Sequence, residues 1–318
     1  MTIKGKVSII MPCFNPSNDI NRAICSCLNQ TYKDIEIILV DDGSTVPIES
    51  VLDIGLFEKI RVYRKANGGP GSARNYGLGV SDGEFVCFLD ADDTYEVDFV
   101  ERMLDGLLSS NEHYDFAICN YRKVEATGKV LKEFDHSFKV FSSREPFIDF
   151  IMGVGITPMS QNKLFRKESL KKDFYPEKYK VHEDVLAISR LLHEGMKFCL
   201  VREELFNYFV NPSSTMHSFN KSHIIDRLEV AEEIHSLMNN EHARELYSFY
   251  YLNFVIFSSV KHCFMVDGLK GKINALVFCL PLFDKKQLTF SNIFRFGRIH
   301  KTKSVICFLV RFLYLLKV

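Results

Sequence analysis

The sequence predicts an α/β protein: a mostly parallel sheet with flanking helices, followed by a helical C-terminal extension. Two observations carry this. Over residues 1–120, short apolar runs alternate with amphipathic helical patterns, as in parallel strands that are covered on both faces and joined by helices. From residue 221 onward the pattern is helical, basic and apolar.

Each element has its own warrant. "KVSIIMP" (6–12) is an apolar run closed by a proline, a first strand. Ile20, Ala23, Ile24, Cys27 and Leu28 then recur at i, i+3, i+4, i+7 and i+8, one face of a helix, with Ser17 or Asn18 placed to cap it. "IEIILVDD" (35–42) reads as a second buried strand, and the more polar "KIRVYRK" (59–65) as a third nearer an edge. A glycine-rich turn and a helix follow at 67–80, a fourth strand at 84–90, a helix at 96–110 and a fifth strand at 114–120. "TGKV" reads as a turn and 143–153 as a helix. Another helix, 182–195, sets Val185, Ile188, Leu191 and Leu192 on one face and stops at Gly195. "KFCLV" and "LFNYFV" (197–210) are strand-like.

Composition narrows the function classes. A chain of 318 residues with 47% hydrophobic and 25% charged residues has the profile of a soluble globular protein of one large or two small domains. Its net charge is zero, so the molecule as a whole is not built for nucleic acid. The nine cysteines are odd in number, mostly set in apolar runs and never spaced CxxC. They point to reduced thiols rather than a zinc site or a disulfide framework. The N-terminal apolar stretch is too short for a signal peptide, so a cytoplasmic location is expected. "KTKSVICFLVRFLYLLKV" (301–318) is broken by Arg311 and too short to span a bilayer. It is either a basic amphipathic helix lying on an anionic membrane surface, peripheral on the inner face of the plasma membrane, or a last helix docked on the core.

In parallel sheets ligands bind beyond the carboxyl ends of the strands. The chemistry-bearing residues cluster there: Pro12 to Asn15, Asp41 and Asp42, and Asp90 to Asp93. "FLDADDTY" (88–95) crowds Asp90, Asp92 and Asp93 into four residues, an arrangement that repels itself unless a cation sits among the carboxylates. In an extended D-x-D the two side chains share one side of the chain. One or two carboxylates leave open the positions that Mg²⁺ or Mn²⁺ fills with water and phosphate oxygens. Asp93 is placed either to join them or to cap the helix beginning near Glu96. A lone D-x-D is also common punctuation of a strand-to-helix turn. Asp41 and Asp42 can accept from a base N–H or a ribose hydroxyl. Gly68, Gly69 and Gly71 let backbone come close to a ligand, and Arg74 on the helix that follows favours phosphate. The glycines do not follow the G-x-G-x-x-G order and there is no P-loop, which weakens a dinucleotide or ATP-hydrolysis reading.

"VSIIMPCFN", "NQTYKDIEIILVDDGST", "NGGPGSARNYGL" and "GEFVCFLDADD", in that order from about residue 6 to 99, resemble the successive motifs of glycosyltransferase family 2. The likeness continues more thinly through "NKLFRKESL" (162–170) and "HEDVLAISRLL" (182–192) and fades beyond 216. The resemblance implies the GT-A, Rossmann-like fold. It implies an inverting, metal-dependent transfer of a sugar from a nucleotide-sugar donor, UDP-linked, to a hydroxyl of a growing glycan or glycolipid, as in bacterial lipopolysaccharide, capsule or O-antigen synthesis. The implied donor site comprises Pro12, Phe14, Asn15, Asp41, Asp42, Gly69, Arg74, Asp90 and Ala91. The implied Mn²⁺ or Mg²⁺ is held by Asp92 and Asp90, with His217 as a further ligand. Asp184, with Glu183 as its neighbouring candidate, matches the base that takes the acceptor proton.

The expected division is 1–215 as the catalytic domain, with a donor half at 1–120 and an acceptor half at 121–215, and 216–318 as a helical region that associates with membrane or protein. His182 stands where relatives often carry a small residue, and Lys163 is either a site residue or a surface lysine. Asp184 opens a helix, where the dipole lowers a carboxyl's pKa, so it is expected to act more as a positioned carboxylate than as a strong base. Two other readings stay open. A nucleotidyltransferase making a nucleotide sugar would want a Gly- and Lys/Arg-bearing loop where this chain has "PCFNPSND". A non-catalytic nucleotide-sugar or glycan-binding module would not need Asp90, Asp92 and Asp184 intact.

Overall fold

The computed structural model describes residues 5–109, 111–134, 147, 156–210, 219–238, 247–248, 250–284, 286–299 and 301–315. The helix expected at 143–153 lies outside them apart from Phe147, and His217 lies outside them altogether. The chain forms two compact units, Met1–Val140 with Thr157–Asn211, and Phe141–Ile156 with Pro212–Val318.

The first unit runs β1 (Val7–Cys13), α1 (Asp19–Leu28), β2 (Ile35–Asp41), the single turn α2 (Ile54–Phe57), β3 (Arg61–Arg64), α3 (Pro70–Val80), β4 (Phe85–Phe88) and β5 (Thr94–Tyr95). It continues through α4 (Phe99–Leu108), β6 (Phe116–Val124), β7 (Val130–Phe134), β8 (Lys163–Arg166), α5 (Glu183–His193) and β9 (Phe198–Phe209). The strands join in the order β3-β2-β1-β4-β8-β6-β9-β5, with β7 on β6. All seven residues of β1 are buried, which is why its sequence is apolar without alternation. β3, with its arginines, sits at the edge as its polarity predicts.

β3, β2, β1 and β4 are mutually parallel, and there the expected parallel run ends. β8 enters antiparallel to both β4 and β6, while β6 and β9 pair in parallel, so the far half of the sheet is mixed. The two strand-like pieces at 197–210 are one strand, β9; exposed Arg202 and Glu203 interrupt its apolar pattern. α4 begins at Phe99 with Asp98 at its N-cap, so Asp93 does not cap it. At α1, Ser17 Oγ accepts from the Asp19 backbone N–H at 3.3 Å, and Asn18 makes no side-chain cap. The turn at "TGKV" closes the β6–β7 hairpin with Gly128 at φ +85°.

The second unit is helical: α6 (Lys221–Leu237), a π-helical stretch Tyr251–Phe257 running into α7 (Ser258–Phe264), then α8 (Gly268–Cys279), α9 (Phe290–Ile299) and α10 (Lys301–Leu315). Its core holds a buried arginine, Arg227, which donates to Ser259 Oγ at 3.1 Å. The Sγ atoms of Cys263 and Cys279 meet at 3.6 Å. Among the described residues no helix is long and apolar enough to cross a membrane.

Candidate active site

The registers bring three loops to one edge of the sheet. Cys13 pairs with Asp41 and Ile10 with Phe88, so the chain leaves β1, β2 and β4 on the same side. Pro12 is buried within β1, and Phe14 beyond it is 53% exposed. Asn15 turns the chain at φ +48°, a left-handed conformation that Asn tolerates. Its backbone N–H donates to Ser44 Oγ at 2.8 Å, and its Oδ1 accepts from the Thr45 backbone N–H at 2.7 Å. The loops after β1 and β2 are thereby clamped together.

Asp41 and Asp42 are buried. Asp41 accepts from the Ser44 backbone N–H at 2.8 Å and faces Arg64 at 3.4 Å. Asp42 accepts from the N–H of Gly68 at 2.9 Å, from the N–H of Gly69 at 2.7 Å and from Lys65 Nζ at 2.8 Å. Its two oxygens are thus spent on shaping the glycine-rich loop. Gly69 has φ +93°, and a Cβ there would meet the Lys180 side chain at 2.9 Å. Lys180 Nζ donates to the Gly68 carbonyl at 2.5 Å, so the loop is held from both sides.

Arg74 on α3 joins the rim to α5. Its Nη2 donates to Asp90 Oδ1 at 2.8 Å and its Nη1 to Glu183 Oε1 at 2.6 Å. The guanidinium is buried over the Tyr175 ring, at 5.2 Å from the centroid. Gln161 Nε2 donates to the other oxygen of Asp90. Ala91 and Asp92 follow, both half-buried. Burial and the neighbouring Asp90 charge push the Asp92 carboxyl up to about 6, with Arg22 opposing. Arg22 donates to the Asp92 carbonyl at 2.8 Å and to Asp19 at 2.9 Å, and lies over Phe209 at 3.8 Å. Asp93 turns away from its two neighbours: it is buried and accepts the Phe209 backbone N–H at 2.8 Å, tying β9 to this loop.

This arrangement suits a hard divalent ion. Asp90 has its oxygens taken by Arg74 and Gln161, while Asp92 is left crowded, desolvated and, among the described residues, without an ion pair on its carboxylate. An ion beside it would relieve that cost, and an all-oxygen donor set favours Mg²⁺ or Mn²⁺. Among the described residues no three His, Cys, Asp or Glu side chains are gathered for a metal. Such a site fits an ion that completes its shell with substrate oxygens and water.

α5 is preceded by its N-cap His182, in the left-handed region at φ +68°. Glu183 is buried against Arg74. Burial pushes its carboxyl up, and Arg74 pulls the other way. Asp184 is half-buried, and its Oδ1 accepts from the Val185 backbone N–H at 2.7 Å. Its carboxyl is pushed up to about 7 by burial and by the Glu183 charge. The lowered pKa expected from the helix start is therefore corrected: the dipole is worth about 0.3–2 kcal/mol, and desolvation beside a like charge outweighs it.

Lys163 is fully buried rather than a surface residue. Its Nζ donates to the Thr157 carbonyl and Asn162 Oδ1, each at 2.9 Å, and to the Met159 carbonyl. Burial pulls its pKa down to about 7, with the Asp184 charge opposing. Lys163 thus fixes the segment from which Gln161 reaches Asp90. Arg22, Gln161 and Tyr175 were not singled out from the sequence. A polar residue three positions from Asp19 or just before "NKLF" carries no local signal.

Comparison with known proteins gives a coherent result. Residues 8–174 match the family model described as Glycosyl transferase family 2. An uncharacterized glycosyltransferase of Haemophilus influenzae is 38% identical over 120 residues, 36% of this chain and 48% of that protein. The chain spans about half or less of the length of the first curated relatives it matches. A longer alignment, 25% identical and covering 83% of this chain and 77% of that protein, is with a cholesterol galactosyltransferase of Borreliella burgdorferi. The structure of S. aureus TarS 1-349 in complex with UDP-GlcNAc superimposes with a TM-score of 0.66 at 19% identity, over 98% of this chain and 92% of that one. At that identity the likeness speaks for the fold.

Proposed function

The chain belongs to glycosyltransferase family 2 and has the GT-A fold, and from that premise we propose that it moves one sugar, with inversion, from a UDP-linked nucleotide sugar to a hydroxyl of a glycan or glycolipid. The observation that carries the reading is the Arg74 bridge: one buried guanidinium joins Asp90, in the D-x-D loop, to Glu183, beside Asp184. Groups for donor and acceptor, more than 90 residues apart in sequence, belong to one hydrogen-bonded unit.

In this reading Pro12, Phe14, Asn15 and the Asp41–Asp42 loop receive the nucleoside, and Gly69, Arg74, Asp90 and Ala91 border the sugar-diphosphate. Asp92 and Asp90, with His217, would hold Mn²⁺ or Mg²⁺, whose charge would offset that developing on the departing diphosphate. Asp184 takes the proton from the acceptor hydroxyl as it attacks. A single displacement opposite the leaving group inverts the anomeric centre. Glu183, engaged by Arg74, orients the start of α5 rather than moving a proton.

The UDP-GlcNAc complex of TarS supports the donor class and the cholesterol galactosyltransferase supports a lipid acceptor. Hexosyl and N-acetylhexosaminyl donors both fit. Residues 1–215 would then be the catalytic part and 216–318 the part that keeps the enzyme, on the cytoplasmic face of a bacterial membrane, near a surface-glycan acceptor. The test is binding and slow hydrolysis across a panel of nucleotide sugars, with Mn²⁺ or with chelator, on the parent chain and on Asp92→Ala. One donor is expected to bind with metal dependence, and to be lost in the variant. If no nucleotide sugar binds under either condition, the reading is wrong.

A further inference from the structure

The outer face of α8 has a composition that the catalytic reading does not use. Successive residues of a helix are turned by about 100°. Leu269, Ile273 and Val277 therefore share one arc, and they are 76%, 50% and 44% exposed. Lys270 falls on one margin of that arc and Lys272 on the other. The opposite arc is the inward one: Ala275 and Cys279 are buried, with Cys279 against Cys263 of α7. Phe264, at the end of α7, is a further 61% exposed. Lys261, Lys270 and Lys272 make no ion pair with a described residue.

Charge identifies the occupant. Residues 258–318 carry eleven Lys and Arg against two acids, Asp267 and Asp284, although the whole chain is neutral. An apolar stripe between free lysines, in a strongly basic segment, is what an anionic bilayer selects. The leucine and isoleucine enter the acyl boundary while the lysine stems lie along it with their ammonium groups among the headgroups. A protein partner would favour a different composition, since lysine is depleted in protein interfaces and aromatics and arginine are enriched.

We propose that the Leu269–Ile273–Val277 face of α8, flanked by Lys270 and Lys272, is a docking surface for an anionic lipid bilayer, distinct from the 301–318 segment. It rests on the proposed function only in setting the acceptor at a membrane.

The test uses the full chain with vesicles of pure phosphatidylcholine or with phosphatidylglycerol added, read by flotation. The parent is expected to bind the anionic vesicles alone. Lys270→Glu/Lys272→Glu should weaken that binding at least tenfold, since each lysine near an anionic surface is worth about fivefold. Leu269→Ser/Ile273→Ser should do the same, since each methylene withdrawn from the acyl region costs about fourfold. Leu269, Lys270 and Ile273 are exposed and Lys272 is half-buried, and donor binding in solution, measured in parallel, should be unchanged. Failure of donor binding in the parent would count against the proposed function and leave this result standing. The inference is overturned if the parent ignores anionic vesicles or if the variants bind them as the parent does. It is equally overturned if Leu269→Ser/Ile273→Ser lowers the sedimenting mass without touching vesicle binding, because the face then belongs to a second copy of the chain.

Discussion

Asp184 is half-buried beside Glu183, and its carboxyl is pushed up to about 7. A base acts in its ionised form, so kcat/KM should climb with pH through about 7 and level off above it. A pH profile already flat from pH 5 upward would remove Asp184 from that role. Stability carries the opposite sign. The free carboxyl titrates at 3.8 and the folded one near 7, so between those values the folded chain holds more protons than the unfolded one. The residue is neutral to stability below about pH 4 and turns against the fold as pH rises to about 7. Asp184→Asn should therefore lose about 10²–10⁴ in turnover, keep donor binding, and melt higher than the parent at pH 8, with the gain shrinking toward pH 5. A variant that melts lower at pH 8 would show that the carboxylate is held by favourable contacts instead. The identity of this residue was legible in "HEDV", but its ionisation was not. That depends on Glu183, Arg74 and the depth of burial, and a helix-start rule sees only the dipole. Lys163 was singled out as a site or surface residue, but its burial was not legible, for the same reason. A lysine reads as surface until a segment is found to wrap its three carbonyl and amide acceptors around it.

At the scale of elements, α3 shows how close packing and site geometry meet. A Cβ on Gly77 would stand 2.4 Å from Ile10 Cγ2 and 3.4 Å from Val40 Cγ2, so the helix lies directly on β1 and β2. Gly77→Ala overpacks that contact and should cost about 1–3 kcal/mol, a fall of several degrees in Tm. Gly69→Ala strains a residue at φ +93° and presses on Lys180, loosening the loop that Asp42 gathers. It should cost about 1–2 kcal/mol and also raise the Kd for donor, which Gly77→Ala should leave alone. Equal donor affinity in both variants would detach the glycine-rich loop from the donor site. The glycines were legible as a close approach of backbone; that Asp42 is what they approach was not, because the bond spans 26 residues. β1, β2 and β4 were legible because strands covered on both faces are apolar without a break. β8 escaped because four residues, "KLFR", carry no period, and its antiparallel place between β4 and β6 is set by pairing across the sheet.

For the whole molecule, zero net charge conceals a strong polarity. The net charge of +9 on residues 258–318 (eleven cations, two acids) is balanced by an equal excess of acid in the first 257 residues. The zero sum made the chain look indifferent to charged partners, and only the distribution shows otherwise. The helical region was legible as helical, yet its partner was not, because the family likeness fades beyond 216 and surface composition alone sets what it meets. Such a distribution draws the basic segment, rather than the chain as a whole, to an anionic surface. Screening should undo it: raising salt from about 0.1 to 1 M shortens the Debye length from about 10 to 3 Å, and vesicle binding should fall with it. Ending the chain at residue 300 removes Lys301, Lys303, Arg311 and Lys317, four of the eleven cations, together with the apolar residues between them. The truncated chain is expected to bind phosphatidylglycerol vesicles more weakly, with a flatter dependence on salt, while hydrolysing donor in solution at the parent's rate. If it binds as well as the full chain, residues 301–318 are a helix docked on their own unit, and the membrane contact lies elsewhere on the basic region. If donor hydrolysis falls with truncation, the segment supports the catalytic fold and its basic charge is incidental to that role.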